Sequence, residues 1–344
     1  MTTALEQHLL NDFQRDFPLS FTPFGDIAKS LGVSEQEVLE NLRQLQTLGL
    51  VSRVGAVFRP HRIGASTLVA MAVPDSRLAE VAQMVSACPE VNHNYAREHY
   101  YNLWFVMTAA DEARLQQVLN QLAQEAGCPL LNLPMLEEYY IDLGFSLRAD
   151  DAATRGKEKC SHPRQQQTAP FSIGASDRVM IAALQAGLPL VSRPYAALGR
   201  QAGMSEQDVM ARLSCLLEQD VIKRIGVIVR HQELGYRANA MVVWDIPDAQ
   251  VAQFGQAIGE MDYVTLCYRR PRRLPDWRYN LFSMIHGHDR DAVLELVEAM
   301  RQCCGLQAFH YEVLFSRKRF KQRGAHYVTT AATDADAATV MVAA

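Results

Sequence analysis

The sequence has few cysteines and no pairing pattern among them. Seven cysteines are scattered along 344 residues and include no C-x-x-C pair. Disulfide frameworks and zinc sites require an even or closely spaced set of cysteines, so neither is predicted here. The pattern favours a reducing compartment, and we expect a cytoplasmic protein without a metal site of its own.

Long apolar runs and a basic charge excess are also missing. No stretch approaches the roughly 20 apolar residues that a transmembrane helix requires, and the first residues lack a basic segment followed by an apolar one. We therefore expect neither a membrane span nor an export signal. The formal net charge of -4 provides no general attraction to nucleic acid or to anionic lipid. Any anion-binding site has to be local.

The sequence contains an internal repeat. The segment that begins at Gly32 reads GVSEQEVLENLRQLQTLGL, and the segment that begins at Gly203 reads GMSEQDVMARLSCLLEQDV. The glycine, the Ser-Glu-Gln run and matching valine and leucine positions coincide. A repeat of this length indicates that one structural unit occurs twice in the chain.

The first part of each copy is predicted to be a helix-turn-helix. Apolar residues recur at three- to four-residue steps from Ile27 to Leu50, and Gly32 interrupts them. Ser34 followed by Glu37 is a capping box that begins a second helix. Helix, glycine turn and helix form the helix-turn-helix pattern. The following segments, SRVGAVF and KRIGVIV, predict a β-wing in each copy.

The second part of each copy predicts a ferredoxin-like βαββαβ unit, because short runs of strand residues alternate with two helical patterns. In the first copy the predicted elements are strand Thr67–Val73, helix Asp75–Ala87, hairpin strands Val91–Ala96 and Asn102–Met107, helix Asp111–Ala126 and strand Met135–Leu143. In the second copy the predicted strands are Ala238–Asp245, Val264–Arg269, Tyr279–Ile285 and Gln307–Phe315.

The predicted fold class is α+β, a tandem repeat of winged helix-turn-helix plus ferredoxin-like domain. The predicted boundaries are 1–60 and 61–148 for the first copy, 149–175 for a flexible linker, 176–231 and 232–327 for the second copy, and 328–344 for a disordered tail. We expect two independently folding copies that pair as an internal pseudo-dimer. Whether further copies associate into a homo-oligomer stays open.

Specific strings in both copies resemble one enzyme family. RVGAVF and NHNYAREHYYNLWF in the first copy, with CYRRPRRLPDWRYNLF and LFSRKRFKQRG in the second, resemble the two subunit types of sirohaem decarboxylase joined in one chain. The domain order is similar to that of Lrp/AsnC regulators. The resemblance implies that sirohaem loses two acetate carboxyl groups as carbon dioxide, giving didecarboxysirohaem for the haem of a denitrifying nitrite reductase. It implies no cofactor, because the substrate carries the iron.

The predicted recognition helices have the wrong charge for DNA. Segment 34–47 carries three glutamates and one arginine, Arg43, and segment 205–218 carries three acidic residues and one arginine, Arg212. DNA affinity comes mainly from lysine and arginine on phosphates. We expect these helices to serve packing. An Lrp/AsnC-type transcription regulator with a small-molecule or tetrapyrrole effector remains the alternative function.

The first hairpin contains the candidate catalytic residues. His93, Tyr95 and Arg97 share a strand face by their period of two, as do Tyr100, Asn102 and Trp104 on the return strand. Decarboxylation requires a proton donor, and histidine titrates near neutral pH. His93 and His99, which are expected to flank one turn, are the predicted acids, and Arg97 between them is predicted to position the carboxylate.

The second copy lacks these histidines and has a basic turn. Leu266 stands at the position of His93, and the turn becomes rich in arginine and proline. Arginine binds carboxylates through two parallel hydrogen bonds, although a solvated charged face is the alternative interpretation. One hybrid pocket or two unequal sites are both open. The predicted substrate-binding residues are Tyr95, Asn102, Trp104, Arg59, Arg269, Arg270, Arg272, Arg273, His286 and Arg319.

Overall fold

The computed structural model describes residues 3–59, 62–141, 174–229, 238–287, 289–324 and 327. Its helices are α1 Ala4–Asn11, α2 Pro23–Leu31, α3 Glu35–Thr47, α4 Leu78–Ala87, α5 Glu112–Ala126, α6 Ala175–Ala186, α7 Pro194–Ala202, α8 Glu206–Glu218, α9 Val251–Gly259 and α10 Arg290–Cys303. Its strands are β1 Val51–Phe58, β2 Ala65–Met71, β3 Val91–Arg97, β4 Leu103–Ala109, β5 Leu130–Pro134, β6 Glu137–Ile141, β7 Ile222–Val229, β8 Ala238–Trp244, β9 Val264–Arg269, β10 Leu281–Gly287 and β11 Tyr311–Gln322. The predicted α+β tandem repeat is confirmed.

Local capping signals place the helix-turn-helix units. Gly32 ends α2 with φ at +69°, a left-handed conformation that favours glycine. The Ser34 hydroxyl accepts a hydrogen bond from the backbone N–H of Glu37, and the Glu37 carboxylate accepts one from the N–H of Ser34. Gly203 and Ser205 occupy the same positions in the second copy. The predicted helix-turn-helix is confirmed in both copies.

The strand after each helix-turn-helix differs from the predicted wing. β1 and β7 pair with each other in the antiparallel direction, and Gly55 lies opposite Gly226. These glycines are equivalent in the repeat, so a pseudo-twofold axis passes between them. Within the described ranges this sheet has two strands, one from each copy. On the edge that they share, the backbone N–H and C=O groups of one strand bond to those of the other.

The helix-turn-helix units share one hydrophobic core. Phe24 and Leu42 of the first copy and Tyr195 and Leu213 of the second are completely buried in the same cluster. Each unit therefore buries its apolar face against the other. The expectation of two independently folding copies did not include this shared core.

The ferredoxin-like units exchange strands. The hydrogen-bonded order is β5-β2-β4-β3-β11-β8-β10-β9-β6. The strand predicted at Met135–Leu143 is present as β6, but it crosses to pair with β9 of the second copy. The strand that pairs with β2 is β5, which was not predicted. Pro134 ends β5, since proline has no N–H to continue the ladder.

β11 makes the reciprocal crossing. Its first part, from Tyr311 to Phe315, pairs with β8, and the part from Ser316 to Gln322 pairs with β3 of the first copy. Lys321 donates to backbone carbonyls at the end of α4 at 2.6 and 2.9 Å, where the helix dipole favours a cation. The strand continues beyond the predicted end at Phe315.

The two halves of this sheet pack face to face. α4 and α5 cover the outer face of the first half, and α9 and α10 cover that of the second. The inner core between them contains Trp104 of the first copy together with Trp277 and Phe282 of the second. The copies thus form an internal pseudo-dimer with shared cores.

The predicted linker 149–175 lies outside the described residues, apart from Gly174 and Ala175, where α6 begins. The predicted tail 328–344 also lies outside them. Among the helices of the described ranges, none has the length and apolar character needed to span a bilayer.

Candidate active site

A strip of polar side chains on β3 faces the space between the sheet halves. Tyr95 lies opposite Trp104 of β4, and Trp104 belongs to the inner core. Directly opposed residues of an antiparallel pair share a face, and His93 and Arg97 lie two positions from Tyr95 on either side. The structure therefore places His93, Tyr95 and Arg97 on one face, as predicted.

The two candidate histidines are far apart. His93 is near the start of β3, which ends at Arg97, and His99 lies in the following turn. The strand from His93 to Arg97 alone is about 13 Å long, at about 3.3 Å per residue. The expectation that both histidines flank one turn is wrong, and they cannot act together on one carboxylate.

His99 is held at both ring nitrogens. Its Nδ1 accepts a hydrogen bond from the backbone N–H of Tyr101 at 2.9 Å, and its Nε2 lies 3.0 Å from Oε2 of Glu312 on β11. A donor at Nδ1 leaves the ring proton on Nε2, which donates it to the carboxylate. Burial lowers the pKa of His99, and the charge of Glu312 opposes this decrease. The imidazole of His99 therefore bridges the two copies.

Sequence reasoning missed the second-copy residues around this bridge. The Tyr279 hydroxyl donates to Oε1 of Glu312 at 2.5 Å, and Nδ1 of His310 lies 3.1 Å from the same hydroxyl. The Trp277 ring lies 5.5 Å from the ring of His99 and 5.0 Å from that of Tyr279. The carboxylate of Glu312 thus accepts one hydrogen bond from each copy.

Two buried arginines occupy equivalent positions in the repeat. Arg97 donates to the backbone carbonyl of Leu314 on β11 at 2.9 Å. Arg270 donates to that of Leu133 on β5. Each arginine therefore bonds to a backbone carbonyl of the other copy.

Neither of these guanidinium groups has an ion pair with a described carboxylate. The Arg97 guanidinium lies 6.0 Å from the Tyr95 ring centre, and that of Arg270 lies 4.5 Å from the Tyr268 ring centre. The Nε atom of each is buried without a hydrogen-bond partner. Burial lowers the pKa of Arg97 to about 10, so it is still a cation at neutral pH. These two buried positive charges thus have no counter-ion among the described carboxylates.

Asn102 and Trp104 are fully engaged by the protein. The Asn102 side chain donates to the carbonyl of Val73 at 2.7 Å and accepts from its N–H at 3.0 Å. Asn280 makes the same pair of bonds with Ile246 at 2.8 and 3.1 Å. Trp104 is 2% exposed in the inner core. These contacts favour structural roles over the predicted contacts with substrate.

Neighbouring groups engage the other arginines of the basic loop. Arg272 pairs with Asp245, and Arg269 lies 3.5 Å from Asp248. Arg273 donates to the backbone carbonyl of Asn132, in the first copy, at 2.8 Å. These contacts favour supporting roles, within the second copy for Arg269 and Arg272 and between the copies for Arg273.

Arg59 joins the helix-turn-helix layer to the ferredoxin-like layer. Its guanidinium forms ion pairs with Glu138 of β6 at 2.9 Å and with Asp220 at 2.7 Å. Both carboxylates belong to the protein. The geometry favours the structural alternative for this predicted substrate-binding residue.

Two further predicted residues lie on the strands of the central sheet. His286 of β10 contacts Oδ1 of Asn239 through Nδ1. Arg319 of β11 is exposed and lies opposite Tyr95 of β3. Burial raises the pKa of Tyr95, while Arg97 and Arg319 oppose the increase. The structure thus brings Arg319 next to the β3 strip.

A cleft of about 560 Å³ opens beside the turn of the first hairpin. Its lining includes His99, Tyr100, Arg77 and Arg317. Sites for small molecules span roughly 300–1,000 Å³, so the cleft has a suitable size. Arg77 and Arg317 were not among the predicted site residues.

The second copy has ion pairs at the equivalent place. Ala72 lines the cleft, and Asp245 occupies the matching repeat position after β8. Asp245 binds both Arg272 and Arg278. The open cleft and the paired arginines make the two copies unequal. Within the described ranges, no group of three or more histidine, cysteine or acidic side chains is arranged to hold a metal ion.

Family models match both parts of each copy. Residues 62–140 and 233–321 match the AsnC-like ligand binding domain, and residues 6–51 and 177–223 match the siroheme decarboxylase NirDL-like HTH domain. Over 329 residues the chain is 41% identical to the Siroheme decarboxylase NirDL subunit of Paracoccus denitrificans (strain Pd 1222), covering 95% of this chain and 98% of that protein. The chain belongs to the sirohaem decarboxylase family. The predicted resemblance is confirmed, and family membership assigns the chain to the carboxy-lyases.

Two solved structures of family members extend the match to the whole fold. One siroheme decarboxylase NirDL superposes with a TM-score of 0.71 at 27% identity, covering 98% of this chain and 99% of that chain. The other, in co-complex with an iron-uroporphyrin III analogue, has a TM-score of 0.69 at 27% identity and covers 96% and 97%. The sirohaem decarboxylase fold therefore includes both copies of the repeat.

Proposed function

We propose that this protein converts sirohaem to didecarboxysirohaem by releasing two acetate carboxyl groups as carbon dioxide. The proposal is carried by 41% identity along nearly the whole chain to a named sirohaem decarboxylase. It is supported by the solved relative that binds an iron-uroporphyrin III analogue. The product would serve the haem of a denitrifying nitrite reductase. No cofactor is invoked, because the iron and the electron-accepting macrocycle both belong to the substrate.

His93 is the proposed proton donor. Each decarboxylation breaks a C–C bond, and the carbon that loses carbon dioxide takes up one proton. His93 is half-buried on the inner face of β3, with its ring 6.3 Å from that of Tyr95. An imidazole titrates in the pH range where it can both bind and donate this proton. His99 has both ring nitrogens occupied, so we assign it a supporting role instead of the predicted acid role.

Arg97 and Arg270 are the proposed partners of substrate carboxylates. A buried charge without a partner is costly, and both guanidinium groups lack an ion pair with the described carboxylates. A polyanionic macrocycle supplies the missing negative charge. Arg319, next to the β3 strip, and Arg77 and Arg317 at the cleft extend the same positive surface.

The site we propose is a single hybrid one. The β3 strip and the cleft come mainly from the first copy, while Arg270, Arg317 and Glu312 come from the second. The equivalent place in the second copy holds the ion pairs of Asp245. One macrocycle per chain is the expected stoichiometry.

The direct test is anaerobic incubation of the purified chain with sirohaem, followed by mass spectrometry of the macrocycle. We expect the loss of two carboxyl groups, and His93→Ala should slow turnover by about 100-fold or more while folding is preserved. His8→Ala, which changes an exposed histidine paired with Asp12, is the matched control. Folded wild-type protein that leaves sirohaem unchanged would refute the proposed function.

The alternative of a transcription regulator has no support from the recognition helices. Arg43 of α3 donates to the backbone carbonyl of Leu190 in the other copy at 2.6 Å. Arg212 of α8 pairs with Asp177 through bonds of 2.6 and 2.7 Å. The arginines that could contact phosphates are therefore engaged within the protein. We propose that both helices serve packing.

A further inference from the structure

The bridge between His99 and Glu312 joins the turn of one copy to a strand of the other. Glu312 lies on the part of β11 that pairs with β8, whereas His99 belongs to the β3–β4 turn. The carboxylate of Glu312 accepts from His99 on one oxygen and from Tyr279 on the other. Nothing in the repeat predicts this contact, because β5 has Leu131 at the position equivalent to Glu312.

We propose that Glu312 is a positioning residue, which accepts the Nε2 proton of His99, fixes this tautomer and the orientation of the ring, and thereby fixes the turn that lines the cleft. The consequence for catalysis rests on the proposed function. The state of the His99 ring can be measured without substrate.

The hydrogen bonds explain why His99 stays neutral. With one proton on Nε2, a second would have to bind Nδ1, which already faces the N–H of Tyr101 at 2.9 Å. Two donors would then face each other, so protonation requires the turn to open. The turn also carries Tyr100, which is 70% exposed at the cleft. The negative charge of Glu312 therefore raises the proton affinity of the His99 ring, whereas the N–H of Tyr101 at Nδ1 opposes protonation.

The charged groups around this ring come from several elements. Glu312 faces Nε2 directly, and Tyr279 and His310 stand behind it. Asp276 interacts with Tyr101 from the basic loop, and Asp75, Arg77 and Arg317 line the same cleft as His99. Glu98 is the neighbour of His99 in sequence, but both of its carboxylate oxygens bind Arg290 at 2.7 Å. Glu98 is therefore a carboxylate close in sequence that does not hold the ring.

This difference gives a matched pair of variants. Glu312→Gln removes the charge that faces His99, and Glu98→Gln removes a charge that is paired elsewhere. Tyr279→Phe keeps the ring beside Trp277 but removes one donor to Glu312, so the carboxylate interacts more strongly with His99. The three full-length proteins and the wild type are compared by ¹⁵N and ¹³C NMR of the histidine rings during a pH titration, without ligand.

We expect wild-type His99 to be neutral and protonated on Nε2 at pH 7. Glu312→Gln should lower its titration midpoint by about one pH unit or more, because burial is retained and the opposing charge is lost. Tyr279→Phe should move the midpoint in the opposite direction, and Glu98→Gln should leave it in place. An imidazolium or an Nδ1-protonated ring in the wild type, or equal midpoints in Glu312→Gln and Glu98→Gln, would overturn the proposal.

Kinetics with sirohaem separate positioning from proton donation. Glu312→Gln should raise KM by about tenfold through the loosened turn, while the pH dependence of kcat stays that of the wild type. A moved pH profile of kcat would instead make His99 the proton donor and contradict the assignment. If the wild type does not convert sirohaem, the proposed function fails alone, because the NMR comparison still decides the role of Glu312.

Discussion

The amide of Asn102 provides a direct test of structural against substrate-binding roles. Asn102→Ala removes two hydrogen bonds, of 2.7 and 3.0 Å, from the backbone of Val73, a residue that is 3% exposed. The N–H and carbonyl of Val73 are then buried without these partners. At about 1–3 kcal/mol for each of the two unsatisfied groups, the expected loss of unfolding free energy is roughly 2–6 kcal/mol. Asn280→Ala should cost a similar amount, since Asn280 binds Ile246 in the same way.

Thermal unfolding of the purified variants measures this loss. An unfolding entropy of about 2.1 cal/mol/K per residue makes 1 kcal/mol equal to about 1.4 °C for a chain of this size. We therefore expect both variants to melt about 3–8 °C below the wild type. Asn120→Ala, on an exposed face of α5, is the control and should change stability by less than about 0.5 kcal/mol. If Asn102→Ala melts like the wild type but loses affinity for sirohaem, the structural assignment is refuted and the predicted substrate contact stands.

Three further predictions follow from the shared cores and the buried charges. Arg97→Met should leave the melting temperature unchanged or higher, because an apolar side chain replaces a buried charge without an ion pair. Absorbance titration should nevertheless show weaker binding of sirohaem, and a large loss of stability would contradict this account. The two halves, residues 1–148 and 176–344, should each fail to fold when they are produced separately, since the cores include both copies. Produced together, they should co-purify as a folded complex. A monomeric folded half would refute the shared-core argument. Burial lowers the pKa of His99, so below about pH 6.5 the unfolded chain binds more protons than the folded one, and the free energy of unfolding should decrease as the pH falls. Between pH 8 and 5.5 the melting temperature of His99→Gln should therefore decrease less than that of the wild type.

Sequence signals that act over a few residues predicted their structure well. Gly32 and the Ser34–Glu37 capping box set the helix boundaries, and the repeat transferred them to Gly203 and Ser205. The same holds for the face shared by His93, Tyr95 and Arg97, since alternation along a strand is a local property. These features depend on hydrogen bonds and sterics within one turn or strand.

Features that depend on the other copy could not be predicted in this way. The crossing of β6 to β9 and of β11 to β3 depends on which edges meet in the folded chain. The charged run after Phe315 lacks the apolar alternation that indicates a strand, because its exposed residues include Arg317, Lys318 and Arg319. The partners of these groups lie far away in sequence, so no local pattern specifies them.

The position of Glu312 shows the same limit within the candidate site. Its contact with His99 joins residues more than 200 positions apart, and its repeat equivalent is a leucine. The basic loop is held in place by the contacts of Arg272 with Asp245 and of Arg273 with the backbone of Asn132. Its arginines were assigned to substrate because the sequence does not show that Asp245 and the backbone of Asn132 already bind them.

The crossing strands also limit how copies of this protein can assemble. β5 and β6 stand at the two ends of the hydrogen-bonded order, and both are five-residue strands of one continuous segment. Long unpaired strand edges are common sites of aggregation. The longest strand of the described residues, β11, pairs with β8 and β3 of the same chain. The apolar core between the two sheet halves is thus closed by strands of the same chain.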